Sequence, residues 1–141
     1  MTMKSKEIMT QNVETVAPDM TLKECAEKMK RRNVGILPVV EGKKPIGVVT
    51  DRDITLRAVA EGADVNKTKV RDVMTREPYI VYEDQTINEA CELMEKNKIR
   101  RLIVLNREGA LAGVLTLNDV TVKAKETKRS AQVLRNITAA A

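Results

Sequence analysis

The sequence predicts an α/β fold built from two consecutive β-α-β-β-α repeats. Residues 7–16, Glu-Ile-Met-Thr-Gln-Asn-Val-Glu-Thr-Val, return 65 positions later as Asp-Val-Met-Thr-Arg-Glu-Pro-Tyr-Ile-Val at 72–81. The same shift pairs Asp19, Thr21, Glu24, Glu27, Met29 and Val39 with Asp84, Thr86, Glu89, Glu92, Met94 and Val104. After one inserted residue in a turn the shift becomes 66, and Gly47, Val48, Thr50 and Asp53 pair with Gly113, Val114, Thr116 and Asp119. A register held over about fifty residues with a single slip marks a structural repeat. The other two observations are a capped amphipathic helix in each copy and a pair of short apolar strands behind it. The copies span 4–61 and 69–126, with 62–68 as linker and 127–141 as a basic tail.

Each copy opens on a short apolar strand, Thr15-Val16-Ala17 and Ile80-Val81-Tyr82. Asp19-Met-Thr21-Leu-Lys-Glu24 and Asp84-Gln-Thr86-Ile-Asn-Glu89 then contain capping boxes, in which Thr accepts from the N3 amide while Glu reaches back. Behind them, Leu22, Cys25, Ala26 and Met29, and Ile87, Ala90, Cys91 and Met94, recur at helical spacing. Both cysteines therefore read as packing residues. Asn33 and Lys98 end these helices. Strands follow at 36–40 and 46–49, and at 102–105 and 111–115, joined by the turns Glu41-Gly-Lys-Lys and Asn106-Arg-Glu-Gly. A second helix begins after Thr50 and after Thr116. In the tail, Ala131, Leu134 and Ile137 share a possible helical face, either solvated among charges or docking on a dimer mate or an acidic partner.

Composition narrows the function. With 43% apolar residues but two Tyr and neither Phe nor Trp, the interior must be aliphatic. Aromatic platforms for base stacking are lacking, which argues against single-stranded nucleic acid. The net charge of +5 is concentrated in the tail, where five basic residues face one acidic residue from Val120 onward. The nearly balanced body does not match a phosphate-backbone footprint. No histidine is present, which removes the commonest general base and metal ligand. Neither metal-ligand spacing nor a Walker-type lysine loop appears. The expectation is a non-enzyme without metal or catalytic cofactor. Two free thiols on apolar faces point to a reducing compartment. No apolar leader follows Met1, and Gly35-Ile-Leu-Pro-Val-Val40 is too short to span a bilayer. A cytoplasmic protein without membrane association is expected.

The ordered set of features resembles a tandem pair of cystathionine-β-synthase (CBS) domains, often called a Bateman module. It is carried by Met-Thr before the first strand, the capped helix, the twin strands, and Gly-x-x-Thr-x-x-Asp. The last stands here as Gly47-Val-Val-Thr50-Asp51-Arg52-Asp53 and Gly113-Val-Leu-Thr116-Leu117-Asn118-Asp119. The resemblance covers roughly residues 4–126. It implies two CBS units packed through their sheets as a pseudo-twofold pair, with two related clefts, and commonly a homodimer. Clefts in the family often hold AMP, ADP or ATP, less often NAD or S-adenosylmethionine. Relatives regulate an attached enzyme, channel or kinase, such as inosine monophosphate dehydrogenase. With no effector domain in this chain, its output is expected to pass to a separate, unidentified effector protein.

Physical chemistry assigns roles within the motif. Strand running directly into helix leaves backbone amides at the helix start, which with the dipole favour an anionic group such as phosphate. Thr50 is the N-cap, and its hydroxyl can reach a phosphate. Asp53, one turn in, can accept both hydroxyls of a ribose. Arg52 offers a planar cationic fork. Gly47 permits close approach of a ligand or another backbone. Thr116, Asn118 and Asp119 repeat the arrangement without the arginine, so the first motif should grip phosphate more strongly. The resemblance places a base against Thr15, Val16, Ala17, Ile80, Val81 and Tyr82, with walls from Ile36, Pro38 and Ile103. Arg101, with Lys98 and Arg100, would serve a di- or triphosphate, with a solvated helix end as the stronger reading of Lys98. The alternative is that Thr-x-x-Asp is an ordinary N-cap and the apolar residues are core. The matching functional alternative is a ligand-free CBS scaffold for protein–protein interaction. Ile54, Ala58 and Val59, with Val120 and Ala124, are the expected dimer contacts.

Overall fold

Local capping signals set the two long helices of the computed structural model, which describes residues 3–138. Helix α1 (Leu22–Arg32) starts at Thr21, whose hydroxyl accepts from Glu24 N at 3.2 Å, and ends at Asn33 in the left-handed region (φ 53°). Leu22, Cys25 and Met29 are buried, while Ala26 is exposed. Strands β1 (Ile36–Glu41) and β2 (Lys44–Thr50) form an antiparallel hairpin whose register shifts between Val39 and Val40. Its turn carries Gly42 at φ 64°, a conformation that costs glycine little. Helix α2 (Asp51–Ile54) runs on as a π-helical turn, Thr55–Val59. The expected first strand shrinks to one residue, Val16, bridged parallel to Val39. The neighbouring Thr15 carbonyl accepts from Lys28 Nζ at 2.7 Å instead of from a strand. Helix α3 (Val70–Val73) and strand β3 (Thr75–Arg76) complete this unit, β3 lying antiparallel to β2.

The other unit repeats the plan more fully. Strand β4 (Ile80–Tyr82) pairs parallel with β5 (Arg101–Leu105), which pairs antiparallel with β6 (Leu111–Thr116). Helix α4 (Ile87–Asn97) is boxed by Thr86 and Glu89 and closed by Lys98 at φ 56°. Helices α5 (Leu117–Val122) and α6 (Thr127–Thr138) follow. The buried face of α6 is Ser130 and Val133, with Ile137 packed beside them; Ala131 and Leu134 are exposed, so the expected Ala131–Leu134–Ile137 face is corrected. Arg129 pairs with Glu95 at 2.6 Å and donates to Asn88 at 3.0 Å, and Lys98 Nζ donates to the Asn136 carbonyl at 2.7 Å. What read as a charged tail is therefore, through residue 138, a helix packed on α4 and α5; residues 139–141 lie outside the described residues.

The compact units do not coincide with the sequence repeats. One is residues 13–78; the other joins the residues up to Asn12 to those from Tyr79 onward. The leading arm of each repeat, ending in Met9-Thr10 or Met74-Thr75, thus lies in the unit built mainly from the other repeat. Thr10 bridges Val114 on β6, just as Thr75 pairs with Val48 on β2. Each unit has its own aliphatic core. One gathers Val16, Leu22, Leu37, Val39, Val49 and Val70, and the other Val81, Ile87, Met94, Leu102, Val104 and Leu115. Ala58 and Val120 are buried in these cores and cannot serve as dimer contacts; the apolar side chains left outward on the same helical segments are Leu56, Val59 and Val122. No helix among the described residues is long and apolar enough to cross a membrane.

Candidate functional site

Both Gly-x-x-Thr-x-x-Asp motifs fold at the junction of strand and helix. Thr50 has extended backbone (φ −118°, ψ 161°), so its hydroxyl turns back to accept from Asp53 N at 3.0 Å. Asp53 Oδ2 in turn accepts from Thr50 N at 3.0 Å. Thr116 and Asp119 make the same box, at 3.2 and 2.8 Å. Both carboxylates are sequestered, Asp53 at 9% and Asp119 at 8% exposure. One oxygen of each is fixed by backbone, and the other faces outward from the box toward a cation.

Those cations lie four residues beyond the motif aspartates, outside Gly-x-x-Thr-x-x-Asp itself. Arg57 Nη1 lies 3.9 Å from Asp53 Oδ1, and Lys123 Nζ lies 3.1 Å from Asp119 Oδ1. Thr75 Oγ1 donates to the Asp53 carboxylate at 3.4 Å, and Lys123 Nζ donates to Thr10 Oγ1 at 3.4 Å. The repeat held the signal: Arg57 and Lys123 are equivalent at a shift of 66, as Thr10 and Thr75 are at 65. Arg107 is a further addition. It grips Asp84 with Nε at 3.0 Å and Nη2 at 3.0 Å while its guanidinium stands 4.2 Å from the Tyr82 ring centroid. This hydrogen-bonded ion pair holds Asp84 below the usual carboxylate range.

Two expectations change. The helix-start amides are not free for a phosphate in the first motif: Asp51 N donates to Gly35 O at 3.0 Å, Arg52 N to Asp51 Oδ1 at 2.9 Å, and Asp53 N to Thr50. In the second, Leu117 N donates to Arg100 O at 2.9 Å. The role of Gly47 and Gly113 resolves to backbone approach. A Cβ on Gly47 would stand 2.6 Å from Thr75 O, and on Gly113 2.5 Å from Thr10 O.

Two strand residues among the remaining candidates adjoin the boxes. Ile36 is the register partner of Thr50, and Arg101 that of Thr116. Pro38 accepts from Val16 N at 3.0 Å; Ile80 is paired with Ile103, and Val81 with Val104. Val16, Pro38, Val81 and Ile103 are buried, whereas Thr15, Ile36, Ile80 and Tyr82 are half-buried. Ala17, Arg52, Arg101 and Asn118 are exposed. Arg52 and Arg101 make no side-chain ion pair among the described residues. Burial pushes the Cys25 thiol up to about 11 and raises Cys91 in the same direction, as expected of packing residues.

Comparison with known proteins identifies the family. Residues 6–59 and 70–125 each match the CBS domain family. The CBS domain-containing protein YhcV of Bacillus subtilis is 38% identical over 132 residues, covering 94% of this chain and 93% of YhcV. The CBS domain protein PAE2072 from Pyrobaculum aerophilum, solved complexed with AMP, is similar at TM-score 0.81 with 26% identity, over 92% of this chain and 99% of that one. CBSX2 from Arabidopsis thaliana, in its complex with AMP, gives TM-score 0.75 with 28% identity over 89% of this chain and 98% of its own. The chain belongs to the CBS domain family and carries two copies of the domain.

Proposed function

We propose that this protein is a regulatory module that binds an adenine nucleotide, AMP, ADP or ATP, and passes its state to a separate effector protein. The observation that carries this reading is the pair of sequestered, pre-oriented carboxylates. Each of Asp53 and Asp119 has one oxygen fixed by a backbone amide, so little side-chain freedom is lost on accepting a ribose diol. The AMP held by PAE2072 and by CBSX2 supports the ligand class. The functional halves are residues 4–61 and 69–126. Thr50, Arg52 and Asp53, with Thr116, Asn118 and Asp119, handle ribose and phosphate. Thr15, Val16, Ala17, Ile36 and Pro38, with Ile80, Val81, Tyr82 and Ile103, receive the base. Arg101 serves additional phosphates. The module works in the cytoplasm as a homodimer, with Leu56, Val59 and Val122 as outward apolar contacts. A nucleotide changes the output only in so far as it binds two arrangements of the protein unequally.

One observation favours a second reading, a ligand-free scaffold: helix-start amides and both carboxylates already have partners within the protein. Thermal unfolding with AMP, ADP, ATP, NAD and S-adenosylmethionine separates the two. A ligand present at about a hundred times its dissociation constant adds about 2.7 kcal/mol to stability. Stabilisation by adenine nucleotides that is lost in Asp53→Ala supports the sensor. No shift with any of the five supports the scaffold.

A further inference from the structure

The two motifs share a feature that no ribose contact requires. In the 13–78 unit, Arg57 and Thr75 converge on Asp53 Oδ1, at 3.9 and 3.4 Å. In the other unit, Lys123 sits 3.1 Å from Asp119 Oδ1 and 3.4 Å from Thr10 Oγ1. Aspartate, a cation four residues on, and the threonine of a Met-Thr arm therefore meet twice. The cation is arginine in one copy and lysine in the other, so the property retained is charge rather than shape. It is also anchored: the Arg57 guanidinium donates to the Val73 and Met74 carbonyls at 2.9 and 3.2 Å. Each aspartate side chain is only 11% exposed. A carboxylate so placed carries a field that water screens poorly and that repels a neighbouring anion.

We infer that Arg57 and Lys123 are positioning residues of the Thr-x-x-Asp sites. They hold Oδ1 in place and cancel its charge, so that the carboxylate accepts hydroxyls without repelling the phosphates carried by the same ligand. Thr75 and Thr10 tie this ion pair to the Met-Thr arm. The sites are thereby matched to nucleotides rather than to uncharged nucleosides. This rests on the reading that the aspartates accept a ribose.

The test is titration calorimetry of adenosine, AMP and ATP with the wild-type chain and with the double variants R57M/K123M and R57K/K123R. Loss of the cations should weaken ATP by about tenfold or more, AMP by less, and adenosine by about twofold at most, with the ATP loss shrinking at high salt. R57K/K123R should stay within about threefold of wild type for all three. An equal loss for all three ligands, an unchanged ATP affinity, or a failure of R57K/K123R equal to that of the methionine pair would overturn the inference. If R57M/K123M melts early without ligand, R57Q/K123Q carries the same comparison. Absence of binding to the wild-type chain would instead refute the nucleotide reading itself.

Discussion

Replacing Gly113 with alanine should uncouple the N-terminal arm from β6. The new Cβ would stand 2.5 Å from the Thr10 carbonyl oxygen, 3.0 Å from Met9 Sδ and 3.2 Å from Met9 Cγ. The thioether can move, but the carbonyl belongs to backbone that is held on both sides. Thr10 N donates to Val114 O at 2.9 Å and Val114 N to Thr10 O at 3.1 Å. Losing this bridge removes two hydrogen bonds worth about 1 kcal/mol each. Relieving the overlap by shifting Ile8 and Met9 out of the core adds about 1–2 kcal/mol. The sum is about 3–4 kcal/mol, which at a urea m-value of about 2 kcal/mol/M lowers the midpoint by about 1.5–2 M. Gly109→Ala is the control. Its φ of 84° is strained for alanine but no atom lies within 4 Å of the added Cβ, so only about 1 kcal/mol is expected. Urea unfolding of the three proteins measures the difference. A Gly113→Ala variant within about 0.5 kcal/mol of wild type, or no weaker than Gly109→Ala, would refute the close-packed arm.

Other outcomes follow from single contacts. Arg129 holds Glu95 below the ordinary glutamate value of 4.5; a depressed folded value gives stability that is complete above that pH and lost as pH falls through the folded value. Amide exchange should therefore show α6 loosening below about pH 4.5 before the β4–β6 sheet does, and simultaneous loss would count against this. Cys25, at about 11, should resist alkylation at pH 8 in the folded protein and react on unfolding; rapid labelling of the native state would show the burial to be wrong. Arg101 lies opposite Thr116 with its side chain exposed, so Arg101→Ala should weaken ATP about tenfold and AMP about threefold or less. Equal effects on both ligands would remove Arg101 from the phosphate subsite. With Arg52 present only in the first motif, Asp53→Ala should reduce AMP affinity more than Asp119→Ala; the reverse order would place the tighter site in the second copy.

Much of the fold is written in local chemistry. Thr21 with Glu24, and Thr86 with Glu89, announce both long helices, and Asn33 and Lys98 close them in the left-handed conformation. The exchange of the arms is not local. Nothing within Met9-Thr10 or Met74-Thr75 states which strand they join, and only Gly113 and Gly47, as glycines inside strands, hint that a backbone passes there. Spacing by threes drifts around a helix of 3.6 residues per turn, so Ala131, Leu134 and Ile137 do not share the buried face of α6, and Ser130, polar in sequence, is buried with its hydroxyl donated to Thr127 O. At the site, Thr50, Asp53, Thr116 and Asp119 stand out because the repeat preserves them. Arg57 and Lys123 are preserved in charge too, but a cation on a helix surface reads as solvated until its partner is seen. A strand running into a helix predicts free amides; Gly35 and Asp51 supply acceptors that the motif alone does not reveal.

Calorimetric titration of ATP into the wild-type chain and into the Asp53→Ala/Asp119→Ala double variant tests the central claim most directly. The account predicts saturable binding to the wild type and its loss in the double variant, with the unliganded melting temperature lowered by only the few degrees expected from two helix starts. Binding of equal strength in the double variant would show that the Thr-x-x-Asp carboxylates are caps alone, and would contradict the account.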